Sequence, residues 1–174
     1  FLVLTFAPSI AWLAFYLRQD RHPEPKRLIL LTFIGGMSAA IAALVAECAF
    51  LFAISGGSCQ SGITAGTNPL LLFAGNSLIE EYLKYLPVRL LIIRRRDFDE
   101  PIDGMMYLMT SAMGFAALEN ALFLFPLFNQ SVYSGLAVTA NRFLGANFLH
   151  VLSSGIVGFF LARAARPSSP SRSC

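Results

Sequence analysis

Charge is what this sequence has least of. Of its 174 residues, 13% are charged and 56% hydrophobic, where soluble domains carry roughly 25% charge. That shortage excludes an ordinary soluble core and leaves a polytopic membrane protein in one domain. Cysteine is scarce as well: Cys48 lies in an apolar run, Cys59 in a polar stretch and Cys174 at the end. Three is an odd number and no two share metal-site spacing, so no disulfide framework and no cysteine metal centre are expected. No H-E-x-x-H occurs, so the helical zinc-protease signature is missing. No signal peptide with an A-x-A site is present. The chain opens on Phe1 rather than methionine and reads as a piece of a longer protein.

Long apolar runs are what the sequence does have. They predict five spans, at about 1–17, 28–54, 69–93, 103–128 and 138–161, each near the roughly 20 residues that cross a bilayer. The fold class is therefore all-α, a transmembrane helix bundle over residues 1–166, with 167–174 a disordered polar tail by composition. Two prolines, Pro23 and Pro25, keep the first charged loop out of a helix. Gly35, Gly36, Ser38, Ala39, Ala40, Ala42 and Ala43 give span two a small-residue face for close packing. Residues 55–68, rich in Gly, Ser and Thr, read as a flexible loop. Asp103 is placed as an N-cap of span four, and Pro126 ends or kinks that span.

Eleven of the thirteen Lys and Arg fall in loop 18–27, in residues 89–96 and after residue 162. Alternating spans bring all three regions to one side. The positive-inside rule makes that side cytoplasmic, so loops 18–27 and 94–103 and the C-terminus face the cytoplasm. The other two basic residues, Lys84 and Arg142, lie within spans.

Intramembrane charges carry the functional argument. Each costs about 2.5–3.5 kcal/mol at a helix centre and is retained only where other helices, water or a metal receive it. Span three holds Glu80, Glu81 and Lys84. Glu80 and Lys84 form a favoured i, i+4 pair, a purely structural arrangement that leaves Glu81 unaccounted for. Counted at about 1.5 Å per residue, Glu80, Glu119 and His150 all fall about 13–18 Å from the outer boundary. Acid, acid and imidazole at one depth point to water activation, with a buried carboxylate as general base. His150 is then able to polarise a carbonyl, protonate a leaving amine or bind a metal. The plain alternative is a hydrogen-bonded structural histidine. Asn147 lies i, i+3 before His150 and Ser154 i, i+4 after it, and both are supporting candidates. Asn120 reads as hydrogen-bond glue between helices. Glu47 and Arg142 sit in the outer half, where the simplest reading is a buried pair joining spans two and five.

Two catalytic schemes stay open. Catalytic zinc takes three protein ligands and an open water position. His150, Glu119 and Glu81 are the candidate ligands, but Glu80 and Glu81 stay interchangeable: one of them is the third ligand and the other the base. A carboxylate pair sharing one proton needs no metal. The metal-assisted form is preferred, because a divalent cation would offset the insertion cost of several acids.

At these residues the chain resembles the PrsW family of intramembrane proteases. The resemblance rests on Asp20-Arg21-His22-Pro23-Glu24-Pro25, Glu80-Glu81-Tyr82-Leu83-Lys84, Glu100-Pro101-Ile102-Asp103-Gly104, Gly114-Phe115-Ala116-Ala117-Leu118-Glu119-Asn120 and His150. The wider superfamily, with the CAAX prenyl endopeptidases, has a similar triad, matched here as Glu80-Glu81-x-x-Lys84, Phe115-x-x-x-Glu119 and His150-x-x-x-Ser154. The CAAX enzymes typically carry His where this chain has Glu119. The resemblance implies a multi-pass endopeptidase of the bacterial cell membrane, with Glu80 and Glu81 catalytic and His150 assisting. It also implies a membrane-anchored, single-span protein substrate, an anti-sigma factor in the family's best-known role. Relatives often have more spans than five. No nucleic-acid partner is expected. The rival is a non-catalytic scaffold or an ion- or proton-coupled carrier, since the superfamily also resembles a non-catalytic subunit of gamma-secretase. A carrier strings its polar groups along the depth of the membrane; a hydrolase clusters them.

Overall fold

The computed structural model describes residues 2–19, 24–55, 68–95, 98, 100, 102–130 and 132–165. The expected 55–68 loop (56–67), the 167–174 tail, Cys59, Cys174 and residues 20–23 lie outside them. Among the described residues every regular element is a helix: α1 (Leu2–Leu17), α2 (Lys26–Ser55), α3 (Pro69–Leu91), α4 (Asp103–Gln130), α5 (Val132–Leu144) and α6 (Ala146–Ala165). Three segments, Lys26–Ile54, Asp103–Pro126 and Gly135–Ala164, are long and apolar enough to cross a membrane. α3 is long enough at 23 residues but carries the three mid-helix charges. α1, at 16 residues, reaches about 24 Å.

α4 is the central rod. Its residues from Met106 to Ala117 are all buried, and it packs against each of the other five helices. A helix apolar on every side belongs in such a place. Leu28, Val88, Ile92, Tyr107 and Leu108 form one buried cluster, with Leu161 packed against it. The start of α2, the end of α3, the start of α4 and the end of α6 therefore share one end of the bundle, the end expected to be cytoplasmic. There Tyr107 donates to Glu24 Oε2 at 2.5 Å. Trp12 of α1 donates to the Phe143 carbonyl at 2.9 Å.

The small-residue face of α2 divides in two. Gly36, Ala39, Ala40 and Ala43 are buried, whereas Ser38 and Ala42 are exposed. The buried four follow the helical spacing of one stripe. At Gly36 a Cβ would collide with the Ser111 carbonyl of α4, and at Gly114 with the Phe33 carbonyl of α2. The two backbones touch, which only small residues permit. Gly114→Val is expected to separate α2 from α4 and lower stability by about 1–3 kcal/mol, read as a fall in melting temperature in detergent. An unchanged melt would show that the contact carries little.

Several expectations are corrected. Span five is two helices meeting at Gly145. Gly145 N–H still donates to the Asn141 carbonyl and Leu149 N–H to that of Gly145, so helical hydrogen bonding carries across the junction. α4 runs through Pro126 without ending, and α3 likewise contains Pro87. Asp103 is the first residue of α4 rather than the residue before it, and its carboxylate accepts the Glu100 N–H at 2.8 Å. Asn68, at the end of the expected 55–68 loop, is the N-cap of α3: its side chain accepts from Leu70 N–H, with Pro69 opening the helix. Cys48 is disulfide-bonded, against the expectation of no disulfide, and both other cysteines lie outside the described residues.

Candidate active site

Lys84 is the hub. Its side chain is 1% exposed and its ammonium meets three acceptors: Glu81 Oε1 at 2.8 Å, Glu80 Oε2 at 3.2 Å and His150 Nδ1 at 2.7 Å. An ammonium has three protons and no acceptor, so its capacity is filled. Phe115 lies beneath it, with Nζ 4.7 Å from the ring centre. Ser111 of α4 donates to the Lys84 carbonyl at 2.7 Å, beside the Leu83 carbonyl whose i+4 partner is Pro87 and so has no N–H to offer.

That geometry assigns the histidine. Lys84 only donates, so His150 Nδ1 accepts, and Nε2 carries the proton of the neutral ring. Nε2–H then donates to Glu119 Oε2 at 2.9 Å. Glu80 Oε2 also stands 3.8 Å from Nδ1. The two carboxylates thus bracket opposite sides of the imidazole, one from α3 and one from α4.

Glu81 has different neighbours from Glu80. Its Oε1 accepts from Ser153 at 2.9 Å as well as from Lys84, and its Oε2 accepts from Ser154 at 2.9 Å. Glu80 instead opens, with Glu47 and Glu119, onto a cavity of about 310 Å³. Of the paired acids, Glu81 anchors and Glu80 faces the space where water and substrate would stand.

Arg142 does not pair with Glu47 as expected. Its Nη2 lies 3.0 Å from Glu119 Oε2, its Nε donates to Asn120, and its guanidinium covers the Phe123 ring at 5.0 Å. Asn120 donates to Asn147 at 3.0 Å and Asn147 to Ser9 Oγ of α1 at 3.0 Å; the opposite amide orientation of Asn147 also bonds Ser9. This buried chain ties the outer rim of the site to α1. The sequence reading passed over Ser9, Ser111 and Ser153. Of these only Ser153, three residues beyond His150, carried a usable spacing signal.

The three candidate zinc ligands do not fit a metal as arranged. Glu81 is held by Lys84 and two serines, His150 has both nitrogens engaged, and Glu119 Oε2 faces His150 and Arg142. Among the described residues no group of three His, Cys, Asp or Glu side chains is disposed to hold an ion. The cations that meet these acids here are Lys84 and Arg142.

Comparison with known proteins agrees with the family resemblance. The family model for "PrsW family intramembrane metalloprotease" matches residues 24–174. Protease PrsW of Geobacillus kaustophilus is 29% identical over 159 residues, covering 91% of this chain and 64% of that protein. Protease PrsW of Bacillus subtilis is 29% identical over 159 residues, covering 91% and 66%. The chain thus spans slightly less than two thirds of these relatives' length. No solved structure matches it. With the acids, lysine and histidine meeting at one point inside the bundle, and the family match running over most of the sequence, this chain belongs to the PrsW family of intramembrane metalloproteases.

Proposed function

We propose that this protein hydrolyses a peptide bond of a membrane-anchored, single-span protein, with Glu80 activating water inside the bilayer. The observation that carries the reading is convergence. Glu80, Glu81, Lys84, Glu119 and His150 come from three helices to one hub, where a relay would spread them through the depth. Glu80 faces the cavity, takes a proton from water as the oxygen attacks the scissile carbonyl, and returns that proton to the leaving nitrogen as the C–N bond breaks. Lys84 and Glu81 hold Glu80's environment fixed. His150 and Glu119 form the facing wall, and Arg142 sets a positive charge at its rim.

The family description names a metal, and the donors here are committed to Lys84 and Arg142. No step in this scheme therefore runs through one. The charge distribution supports basic loops on the inner side, and the bacterial cell membrane is the placement the resemblance implies. A disulfide at Cys48, toward the far end of α2, is in keeping with an oxidising outer side. An anti-sigma factor is the substrate the resemblance implies.

The test is direct: the purified protein, reconstituted in liposomes, should cleave a single-span substrate. After exhaustive chelation the rate should stay within about twofold. No cleavage of any membrane substrate would overturn the proteolytic reading. A rate lost to chelator and restored by zinc would overturn the metal-free arrangement and leave proteolysis standing.

A further inference from the structure

The cavity beside Glu80 has an unusual pair of walls. On the α2 side stand Ala40, Ala43 and Leu44, and on the α4 side Leu122 and Phe123, with the carboxylates at the back. It begins one turn beyond the points where α2 and α4 touch backbone to backbone: Ala40 is i+4 from Gly36, and Phe115 follows Gly114. Held together below, the helices leave a cleft above. The inner wall is buried, since Ala40 and Ala43 are almost without exposure, while Leu44, Leu122 and Phe123 are about half-exposed. These three are apolar and lie on membrane-spanning helices, so they face lipid. Behind the acids, Lys84 is sealed by Phe115 and His150.

We propose that this cleft takes one apolar side chain of the substrate segment, entering from the lipid between α2 and α4, and that Ala40 and Ala43 set its size. The proposal rests on the proteolytic reading and names the substrate feature that site selects. A volume near 310 Å³ has room for roughly ten waters, enough for a side chain and the attacking water, and too little for a packed helix. The occupant is therefore a locally extended stretch of the substrate. Its side chain is not acidic, because Glu47, Glu80 and Glu119 already place three carboxylates on the cavity, and the remaining walls, all apolar, match an apolar one. The wall residues work by volume alone. Filling space at Ala43 should exclude large side chains, and clearing space at Leu122 should admit them.

The experiment uses a single-span substrate library varied along its apolar segment, cleaved by the protein in liposomes, with new termini identified by mass spectrometry. The unaltered protein should cut beside apolar residues of middle size. Ala43→Leu should shift preference toward Gly and Ala by at least about tenfold, the discrimination expected for one or more methylenes in an apolar pocket. Leu122→Ala should shift it toward Phe and Trp, and serves where Ala43→Leu fails to fold. Leu152→Ala, on the α6 face away from the cleft, should leave the profile unchanged. Identical profiles in the unaltered protein and Leu122→Ala, with cutting intact, would overturn the subsite and spare the proteolytic reading. Absence of cutting by the unaltered protein would overturn both.

Discussion

Glu80→Gln is expected to lower the rate of substrate cleavage about 10²–10⁴-fold, the range a general base contributes. The amide keeps the shape of the side chain and one acceptor for Lys84, so the hub should still assemble. What it loses is the ability to take a proton from water at the cavity wall, where Glu80 stands. Melting temperature and substrate capture should therefore change little while turnover falls. Glu81→Gln should also lower the rate, by another route. Both Glu81 oxygens accept hydrogen bonds, from Lys84, Ser153 and Ser154, and an amide supplies only one acceptor oxygen. That variant should melt earlier as well as turn over slowly. Full activity in both, with folding intact, would refute the assignment of water activation to this pair.

Lys84→Met carries the largest expected stability effect. The methionine fills similar volume but leaves Glu80, Glu81 and His150 Nδ1 without their shared donor. Removing one partner of a buried ionic group typically costs about 3–5 kcal/mol, and because Glu80 and Glu81 are about one-quarter exposed the loss should fall toward the lower end. Within a bilayer no bulk water is at hand to receive them. The variant should insert poorly, and what inserts should melt well below the unaltered protein in detergent. A double variant, Lys84→Met with Glu81→Gln, should recover part of the loss by removing one orphaned charge. Equal melting of Lys84→Met and the unaltered protein would show that the hub is hydrated and that the ammonium is not its organiser. Lys84→Arg is a poor rescue, since a planar fork does not reproduce three donors diverging from one nitrogen.

Much of this was determined by the sequence itself. Apolar run length located the helices, because crossing a bilayer is a one-dimensional requirement of about 30 Å, though the fifth predicted span is two helices. Counting along each helix placed Glu80, Glu119 and His150 at one depth, because rise per residue is fixed, and the structure brings the two acids to opposite sides of the His150 ring. The Glu80–Lys84 contact was legible from i, i+4 spacing alone. Rotation of each helix about its axis was not, and partner choice depends on it. Arg142 and Glu47 share the outer half, yet Arg142 turns to Glu119 and Asn120. Nor does local sequence distinguish the anchoring acid from the facing one. Glu80 and Glu81 are neighbours in the chain, and only the serines of α6 on one side and the open cleft of α2 and α4 on the other give them different work. Pro126 reads as a breaker in isolation, but a bilayer favours an unbroken helix, and α3 likewise continues through Pro87, where Ser111 engages the Lys84 carbonyl nearby. Depth came from the chain; azimuth, and with it the site's division of labour, came from packing.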